Sequence, residues 1–344
     1  MSKCIFRDST ILENYGPPVI VAEVNTSHNG DMNTAKRMID AALDSGCYAV
    51  KFQSWSKESL YSTTYYNENP IAKRMVQKFS FGEDQLLEVA KYCKERGIAF
   101  SSTPYSKAEV QFLLEKCDVP YIKVASMDLT NLPFLDFIAR TGAPIVLATG
   151  MGDMDEVRSA VRTIESAGNR NICILHCISI YPPNISSIRL KNIIGLREEF
   201  PDFPIGFSDH SIGYEMATAA VALGAALVEK HLTLDKSKIG MDNQMATEPD
   251  EMRKLVSQCK NVQIGLGGKE RIVLKEELEQ RKKMRRSLVA TRDLPVGKKI
   301  TREDLDAKRP GTGIPANRMQ DVIGKTVIDE IKADTLINIS DIES

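Results

Sequence analysis

The sequence predicts an α/β protein, a (β/α)8 TIM barrel followed by a small, mostly β domain. One unit recurs eight times between residues 18 and 266: a β-branched run, a polar turn, and a segment whose apolar residues have the helical 3.6-residue period. Eight such units in about 250 residues match a barrel in count and length. A doubly wound sheet is the competing fold, but it usually has fewer units and a glycine-rich first turn, which this sequence lacks.

Each of the eight strand patterns leads into a helical one. The predicted strands occupy residues 18–23, 49–53, 98–103, 121–126, 144–150, 171–177, 203–208 and 226–232. The first helix has an apolar stripe made of Ala35, Met38, Ile39, Ala42 and Leu43. Gly46 follows this stripe and can terminate the helix. Residues 55–82, rich in Tyr, Ser and Asn, separate the second strand from its helix, and a connection of that length is a candidate lid.

The composition changes after Gly267 and Gly268, which predicts a second domain. Residues 269–284 are dense in charge and are typical of a solvated helical linker. Short strand patterns follow at 287–290 and 297–300, and Thr301 and Asp304 have capping-box spacing. We therefore predict a catalytic barrel over residues 1–268, a linker over 269–284 and a small β domain over 285–344.

The charge balance argues against nucleic-acid or membrane partners. Lys and Arg number 45 against 46 Asp and Glu, a formal charge of −1, so any anion site must be built locally. No apolar run approaches the roughly 18 residues that span a bilayer, and no secretory signal pattern is present. The seven cysteines are odd in number and lie mostly in apolar runs, Cys173 and Cys177 among them, which favours buried thiols. We expect a soluble, cytoplasmic protein.

Two of the four histidines end consecutive strand patterns. His210 follows Ser208 and Asp209, and His231 follows Glu229 and Lys230. Neighbouring strands of a barrel would bring both imidazoles to one edge, where they could share a divalent metal. The alternative is that each is a hydrogen-bonded core histidine.

Polar residues also end the other strands. Lys51 and Lys123 lie on strands with Ser and Thr hydroxyls between them, and fixed positive charge with short donors is what a phosphate and a carboxylate require. The alternative for each lysine is an ion pair with a neighbouring glutamate. The two lysines together with the histidines favour a site for an anionic substrate.

A series of motifs in this order resembles the sialic acid (nonulosonic acid) synthase family. They are 23–30 (EVNTSHNG), 51–53 (KFQ), 102–104 (STP), 123–126 (KVAS), 149–151 (TGM), 176–177 (HC) with 181–182 (YP), 207–210 (FSDH), 229–231 (EKH) and 308–311 (KRPG). The likeness covers essentially the whole chain, and the tail is similar to the family's antifreeze-like (SAF) domain. It implies a transferase that condenses phosphoenolpyruvate with an N-acetylmannosamine-type aldose, giving a nine-carbon sialic acid and phosphate.

The resemblance also implies roles for individual residues. His210 and His231 would bind the metal, which we expect to be Mn²⁺, with Mg²⁺ or Co²⁺ as alternatives, and Glu23 would be the catalytic acid or base. The residues assigned to phosphoenolpyruvate are Lys51, Thr103, Lys123, Ser126, Ser179, Tyr181 and Ser208. Those assigned to the sugar are Gln53, Asp128, Tyr181, Asp242 and Arg309. The family further implies a domain-swapped homodimer in which the small domain of one chain, with Arg309, closes the barrel of the other.

Some positions differ from the family pattern and leave the sugar open. Ser27 and Ser179 stand where Asn is common, and Met127 and Asp128 stand where Gly and Glu are usual. Phe52 and Asp128 fit a pocket that differs from a strict N-acetylmannosamine site, and the resemblance then suggests 2,4-diacetamido-2,4,6-trideoxymannose, the legionaminic acid precursor, as the acceptor. Two other functions remain as alternatives: a Schiff-base aldolase of a related keto acid using Lys51 or Lys123, and a non-catalytic carbohydrate-binding protein.

Overall fold

The computed structural model describes residues 2–238 and 240–343. Between Gly267 and Gly268 the chain divides into two units. The first contains ten strands: β1 (Lys3–Ile5), β2 (Ile11–Glu13), β3 (Val19–Glu23), β4 (Ala49–Gln53), β5 (Ala99–Thr103), β6 (Ile122–Val124), β7 (Ile145–Ala148), β8 (Ile172–Cys177), β9 (Ile205–Asp209) and β10 (Leu227–His231).

Eight of these strands form one parallel sheet in the order β5-β4-β3-β10-β9-β8-β7-β6. Hydrogen-bonded ladders join each neighbouring pair in that order. The two outer strands of this order, β5 and β6, pack beside each other and nearly close the ring. The predicted TIM-like barrel is therefore confirmed.

Helices alternate with the strands and cover the outside of the barrel. They are α1 (Met32–Asp44), α2 (Thr63–Glu68), α3 (Pro70–Phe79), α4 (Glu83–Arg96), α5 (Lys107–Glu115), α6 (Leu132–Arg140), α7 (Met154–Ser166), α8 (Ile185–Ile188), α9 (Asn192–Glu199), α10 (Glu215–Ala222) and α11 (Pro249–Leu266). None of the helices described is both long enough and apolar enough to cross a bilayer. In α1, the Asp31 side chain accepts the Thr34 N–H as a cap, and the predicted stripe packs inward with Ala35, Met38, Ile39 and Ala42 fully buried.

Strand alternation divides the first unit into two cores. Residues such as Ile20, Val50 and Phe207 point outward and pack against the helices. Val21 and Leu175 point into the barrel, where the β1–β2 hairpin packs against the same interior cluster. This apolar plug fills the end away from the strand C-termini, so the polar residues that follow along each strand lie at the opposite end.

The segment 55–82 contains the two helices α2 and α3, which the sequence analysis did not predict. Ser62 caps α2 through the Tyr65 N–H, and Pro70 begins α3. Both helices expose most of their residues. In α3 the apolar residues at 71, 72, 75, 76 and 79 nevertheless have helical spacing. The segment packs on the loop after β3: the His28 and Phe81 rings lie 4.1 Å apart, and a Cβ on Gly30 would collide with the Lys78 carbonyl.

The second unit is a small, mostly β body with its own apolar core. It contains α12 (Lys275–Met284), β11 (Ser287–Ala290) and β12 (Leu305–Lys308), and β11 pairs with β12 in antiparallel fashion. The predicted strand at 287–290 is present. Segment 297–300 forms no strand, but it is hydrogen-bonded through its backbone to 324–327 around an isolated bridge between Lys299 and Thr326. The Thr301 capping box begins a three-residue 3₁₀ turn, because the buried Asp304 side chain bonds back to the Thr301 N–H.

Candidate active site

A cavity of about 410 Å³ opens at the C-terminal ends of the barrel strands. Its volume is typical of small-molecule sites, which span about 300–1,000 Å³. Twelve of the predicted site residues line it: Glu23, Lys51, Gln53, Thr103, Lys123, Ser126, Ser179, Tyr181, Ser208, His210, His231 and Asp242. Residues that are distant in sequence therefore meet because each ends a parallel strand or the loop after it.

Two lysines and two glutamates form the floor of this cavity. The Lys51 ammonium contacts the Glu23 carboxylate, lies 3.7 Å from Glu229 Oε2, and donates to Thr103 Oγ1 at 3.0 Å. Lys123 Nζ lies 3.3 Å from Glu229 Oε1. All four charged side chains are at least 95% buried, with exposed fractions of 2% to 5%. The alternative considered for the lysines, ion pairs with glutamate, is thus also present.

The two carboxyl groups of the floor differ in pKa. Burial would raise the pKa of Glu229, but Lys123, Lys51 and His210 outweigh it and lower the pKa to about 2. Burial raises the pKa of Glu23 to about 7, helped by the negative charge of Glu229 and opposed by Lys51 and Lys123. Glu229 is therefore ionised at neutral pH, whereas Glu23 is near the midpoint of its titration and can exchange a proton.

Hydroxyl groups and a thiol line the wall beside Lys123. The Ser126 hydroxyl accepts the Gly150 N–H at 3.1 Å and lies 3.6 Å from Cys177 Sγ, which lies 3.9 Å from the Ser179 hydroxyl. A Cβ on Gly150 would collide with the Ser179 hydroxyl and lie 2.7 Å from the Ser126 hydroxyl, so glycine is required for this close approach. Short donors therefore surround the space next to the lysines.

The two histidines lie together at the mouth. Their ring centroids are 5.4 Å apart, and the Tyr181 ring lies 4.1 Å from His210 and 6.1 Å from His231. His210 Nδ1–H donates to the Ile178 carbonyl at 2.8 Å, since a carbonyl can only accept, and this leaves Nε2 with its lone pair. Burial lowers the pKa of both imidazoles, and His210 and the lysines lower that of His231 further, so both are neutral at pH 7.

Three comparisons with known proteins identify the family. The model of the NeuB family matches residues 38–271, more than half of the chain, and that of the SAF domain matches 285–343. The chain belongs to the NeuB family. It is similar to the N,N'-diacetyllegionaminic acid synthase of Campylobacter jejuni, with 36% identity over 93% of this chain and 98% of that protein. It is also similar to the N-acetylneuraminate-9-phosphate synthase of Homo sapiens, with 33% identity over 93% of this chain and 91% of that protein.

A solved structure agrees with this assignment. The N-acetylneuraminic acid (sialic acid) synthetase of Leptospira borgpetersenii superposes with a TM-score of 0.74 and 32% identity, covering 81% of this chain and 96% of that one. The predictions of a sialic or nonulosonic acid synthase-type enzyme and of a SAF domain are confirmed. Membership of this enzyme family sets aside the alternative function, a non-catalytic carbohydrate-binding protein.

Some residues of this NeuB-family enzyme lie elsewhere than the sequence suggested. Asp128 follows the cavity-lining Met127, but its half-buried carboxylate accepts a hydrogen bond from Asn131 at 3.0 Å and does not line the cavity. By contrast, Arg309 lies in the second unit, where the sequence placed it, and its side chain is exposed. The inference drawn from Phe52 was wrong: its side chain points outward into the helix layer, with the ring 5.9 Å from that of Phe100.

Several lining residues were missed. The Tyr105 hydroxyl donates to Gln53 Oε1 at 2.7 Å. Gln53 Nε2 in turn donates to Glu23 Oε1 at 3.2 Å, and the same Glu23 oxygen accepts the Asn25 N–H at 2.7 Å. Tyr105 lies two residues beyond Thr103, so extending the strand-end search by two residues would have found it. Glu229 was recognised only as a neighbour of His231, although alternation places it on the same inward face.

The NeuB-family barrel has a donor set that fits a divalent metal. His231 Nδ1 is buried without a hydrogen-bond partner, 3.8 Å from Asp242 Oδ2, and His210 Nε2 retains its lone pair. Neutral imidazoles are suitable ligands for a borderline ion such as Mn²⁺ or Co²⁺. Within residues 2–238 and 240–343, no cluster of three or more His, Cys, Asp or Glu side chains is arranged to hold a metal ion. Oxygen ligands from substrate or water would therefore have to complete the coordination of an ion held by the two histidines.

Proposed function

We propose that this enzyme condenses phosphoenolpyruvate with an N-acetylmannosamine-type aldose to give a nine-carbon nonulosonic acid and inorganic phosphate. The observation that carries the proposal is the single cavity in which two buried lysines, a row of hydroxyl groups and a pair of neutral histidines lie together. Fixed positive charge suits an anion with two acidic groups, and the histidines lie where an uncharged aldehyde would meet it.

Phosphoenolpyruvate would bind above the lysine floor. Lys51 and Lys123 would hold its carboxylate and phosphate groups, with Ser126, Ser179 and Ser208 as short donors around them. The Ser208 hydroxyl donates to Glu229 Oε1 at 3.1 Å, and Lys123 pairs with the same oxygen, so an incoming anion competes with a carboxylate already present. Lys51 keeps its charge through this exchange, because Glu229 and Glu23 outweigh the effect of burial and raise its pKa.

The reaction requires one carbon–carbon bond and the loss of one phosphate. A divalent ion, Mn²⁺ or alternatively Mg²⁺ or Co²⁺, held by His210 and His231 would polarise the aldehyde oxygen as a Lewis acid. Carbon 3 of phosphoenolpyruvate attacks the aldehyde carbon, and the aldehyde oxygen takes a proton from solvent to become a hydroxyl. Water adds at carbon 2 with loss of one proton, and the bond between carbon 2 and the phosphate oxygen then breaks to leave the 2-keto acid, the second proton of that water leaving with the phosphate. Glu23 takes the proton of that water, because its immediate neighbours Asn25, Gln53 and Lys51 are all donors that stabilise its carboxylate form.

The acceptor sugar would lie between the histidines and the 55–82 segment. Trp55, Leu60 and Tyr61 line this side of the cavity, and the exposed side chains of Met151 and Met241 line its mouth. Such a rim suits the methyl groups of a doubly N-acetylated 6-deoxy sugar better than the hydroxymethyl group of N-acetylmannosamine. We therefore propose 2,4-diacetamido-2,4,6-trideoxymannose as the preferred acceptor, making the product legionaminic acid.

A Schiff-base aldolase is less consistent with the lysines. A nucleophilic lysine needs a lowered pKa. Burial favours a lower pKa for Lys51, but Glu229 and Glu23 outweigh it and raise the pKa above its ordinary value. Lys123 faces Glu229 as well. Borohydride added with phosphoenolpyruvate and sugar should leave no covalent adduct on the chain, and an adduct at either lysine would favour the aldolase.

The SAF domain would act in trans in a homodimer. We propose that Arg309 of one chain reaches the sugar bound in the barrel of its partner. Pro310, Gly311 and Gly313 follow it in a turn-forming sequence, and a guanidinium at a loop tip can bond carbonyl or carboxylate oxygens bidentately.

One assay tests the proposed reaction. Phosphate release from phosphoenolpyruvate should require both a sugar and a divalent ion, and kcat/KM should be larger for the diacetamido sugar than for N-acetylmannosamine. Lys123→Met should abolish most of the release, whereas Lys36→Met, on a surface lysine paired with Glu88, should not. Phosphate release without any sugar would refute the condensation, and a preference for N-acetylmannosamine would refute the choice of acceptor alone.

A further inference from the structure

A buried ion pair lies directly behind the two histidines. Asp209 precedes His210 at the end of β9, Lys230 precedes His231 at the end of β10, and the two residues are opposite each other in the ladder. Lys230 Nζ lies 2.8 Å from Asp209 Oδ2, with side chains 0% and 1% exposed. Because strand side chains alternate, the histidines face the cavity while this pair faces the helix layer.

The same pair holds the chain that follows His210. Asp209 Oδ1 accepts the Ser211 N–H at 2.9 Å and the Ser211 hydroxyl at 2.7 Å, and Lys230 Nζ donates to the Ser211 carbonyl. His210 therefore lies between two residues that are both bound to Lys230. The ring itself is held by its Nδ1–H bond to the Ile178 carbonyl and by its contact with the Tyr181 ring.

Stability alone is a poor explanation for this pair. On the same outward face of β9 and β10, the preceding residues Phe207 and Val228 are fully buried in the apolar core under the helices. Removing two charges from water costs more than their attraction returns in many proteins, and apolar residues of similar volume often stabilise equally well or better. Neither Asp209 nor Lys230 lines the cavity.

We propose that Asp209 and Lys230 are positioning residues that fix the separation and orientation of the His210 and His231 imidazoles. The inference rests on the proposed metal-binding role of the two histidines. Fixing both strand ends to each other from behind keeps two ligands on different strands at a constant spacing. Residues that support metal ligands in this way commonly change metal affinity by about 10- to 100-fold when they are replaced.

Two double variants separate the contributions. Asp209→Leu with Lys230→Met removes both charges and every bond to Ser211, and Asp209→Asn with Lys230→Met removes the charges but keeps an oxygen for the Ser211 N–H and hydroxyl. Neither leaves an unpaired buried charge, so we expect both to fold. Asn169→Ala is the matched control: Asn169 is buried in the same unit and donates to the Ala143 carbonyl at 2.8 Å, before β8 and away from the cavity.

Three measurements apply to each protein: the melting temperature, the Co²⁺ dissociation constant with its visible spectrum, and imidazole ¹H–¹⁵N correlation spectra. The chain has 4 histidines, so each ring can be followed, with His28 and His176 as internal references. The leucine–methionine variant should bind Co²⁺ about tenfold or more weakly with an altered spectrum, and only the His210 and His231 signals should shift or broaden. The asparagine–methionine variant should lie between it and wild type. Asn169→Ala should lower the melting temperature and leave Co²⁺ binding unchanged.

Kinetics give an independent readout of positioning. We expect kcat to fall in both double variants while KM for phosphoenolpyruvate changes less than about twofold, because the lysine floor is untouched. Wild-type Co²⁺ affinity and imidazole spectra in either folded double variant would overturn the positioning role. If the wild-type chain itself failed to bind Co²⁺, the proposed metal site would fail first, and this inference with it.

Discussion

The pKa of Glu23 gives a quantitative prediction for the reaction. Burial and Glu229 raise it from the ordinary 4.5 to about 7. A group with that pKa is about one-tenth ionised at pH 6 and about nine-tenths ionised at pH 8, so a mechanism that uses the carboxylate gains about tenfold across this interval. We therefore expect kcat/KM to rise about tenfold between pH 6 and pH 8.

Glu23→Gln isolates this contribution. Glutamine keeps the oxygen that accepts from Asn25 and Gln53 but cannot take a proton, and loss of a general base typically costs about 10²- to 10⁴-fold in rate. Ionisation of phosphoenolpyruvate affects both proteins equally. The ratio of wild-type to variant kcat/KM should therefore show one rising limb centred near pH 7.

Glu109→Gln is the matched control for that profile. Burial raises the pKa of Glu109 too, but its carboxylate bonds the Tyr105 N–H and does not line the cavity. This variant should retain the wild-type pH profile. A flat ratio for Glu23→Gln, or a ratio that falls with pH, would refute the assignment of Glu23 as the base.

Three further predictions follow from the same structure. At a hundredfold excess over its Kd, phosphoenolpyruvate alone should stabilise the protein by about 2.7 kcal/mol. In a thermal melt, Lys51→Met or Lys123→Met should remove most of that stabilisation. An unchanged stabilisation in these variants would exclude the two lysines from the anion site. Burial lowers the pKa of His28 from 6.5 to about 4, so the unfolded chain binds the proton first as pH falls. The free energy of unfolding should therefore decrease by up to about 3 kcal/mol between pH 6.5 and 4. Urea melts of His28→Asn should lack that decrease, and the same pH dependence in the variant as in wild type would contradict it. Inactive Arg309→Ala and His210→Ala chains should recover up to about a quarter of wild-type activity when they are co-expressed. Random pairing makes about half of the dimers mixed, and each mixed dimer has one intact site out of two. Mixed dimers without activity would place Arg309 at its own barrel or at none.

The repeating pattern was sufficient to predict the barrel and most of the cavity. Lys51 and His231 could be assigned to the site because each lies in the C-terminal half of a strand, and parallel strands bring these halves together whatever lies between them in sequence. Strand alternation also fixes which neighbour faces inward. Phe52 was misassigned because it follows Lys51 directly and alternation therefore turns it outward.

Other features depend on side-chain reach and burial, which the sequence does not give. Glu23 and Glu229 have the same side chain, yet their pKa values are about 7 and about 2 because Lys123 contacts only one of them. Tyr105 enters the site by extending from a loop to Gln53. Asp128 is adjacent to a lining residue, but its own carboxylate turns back to Asn131.

The helices α2 and α3 were missed for a different reason. Each is short, and α3 buries only Val76 and Phe79. The apolar residues of α3 at 71, 72, 75, 76 and 79 have helical spacing, so the pattern was present in the sequence and was overlooked inside a segment that was interpreted as a lid. Only two of the five are buried, and the segment packs on the loop that contains His28 and Gly30.

The fate of the bridging oxygen of phosphoenolpyruvate tests the central claim most directly. If water adds at carbon 2 and the carbon–oxygen bond breaks, phosphate released in ¹⁸O-water carries no label, and release requires the sugar. A phosphatase acting on phosphoenolpyruvate, which breaks the phosphorus–oxygen bond, supplies the labelled reference. Mass or ³¹P measurement should find unlabelled phosphate in equal amount to the nine-carbon keto acid, whereas labelled phosphate, or phosphate without that acid, would contradict the condensation.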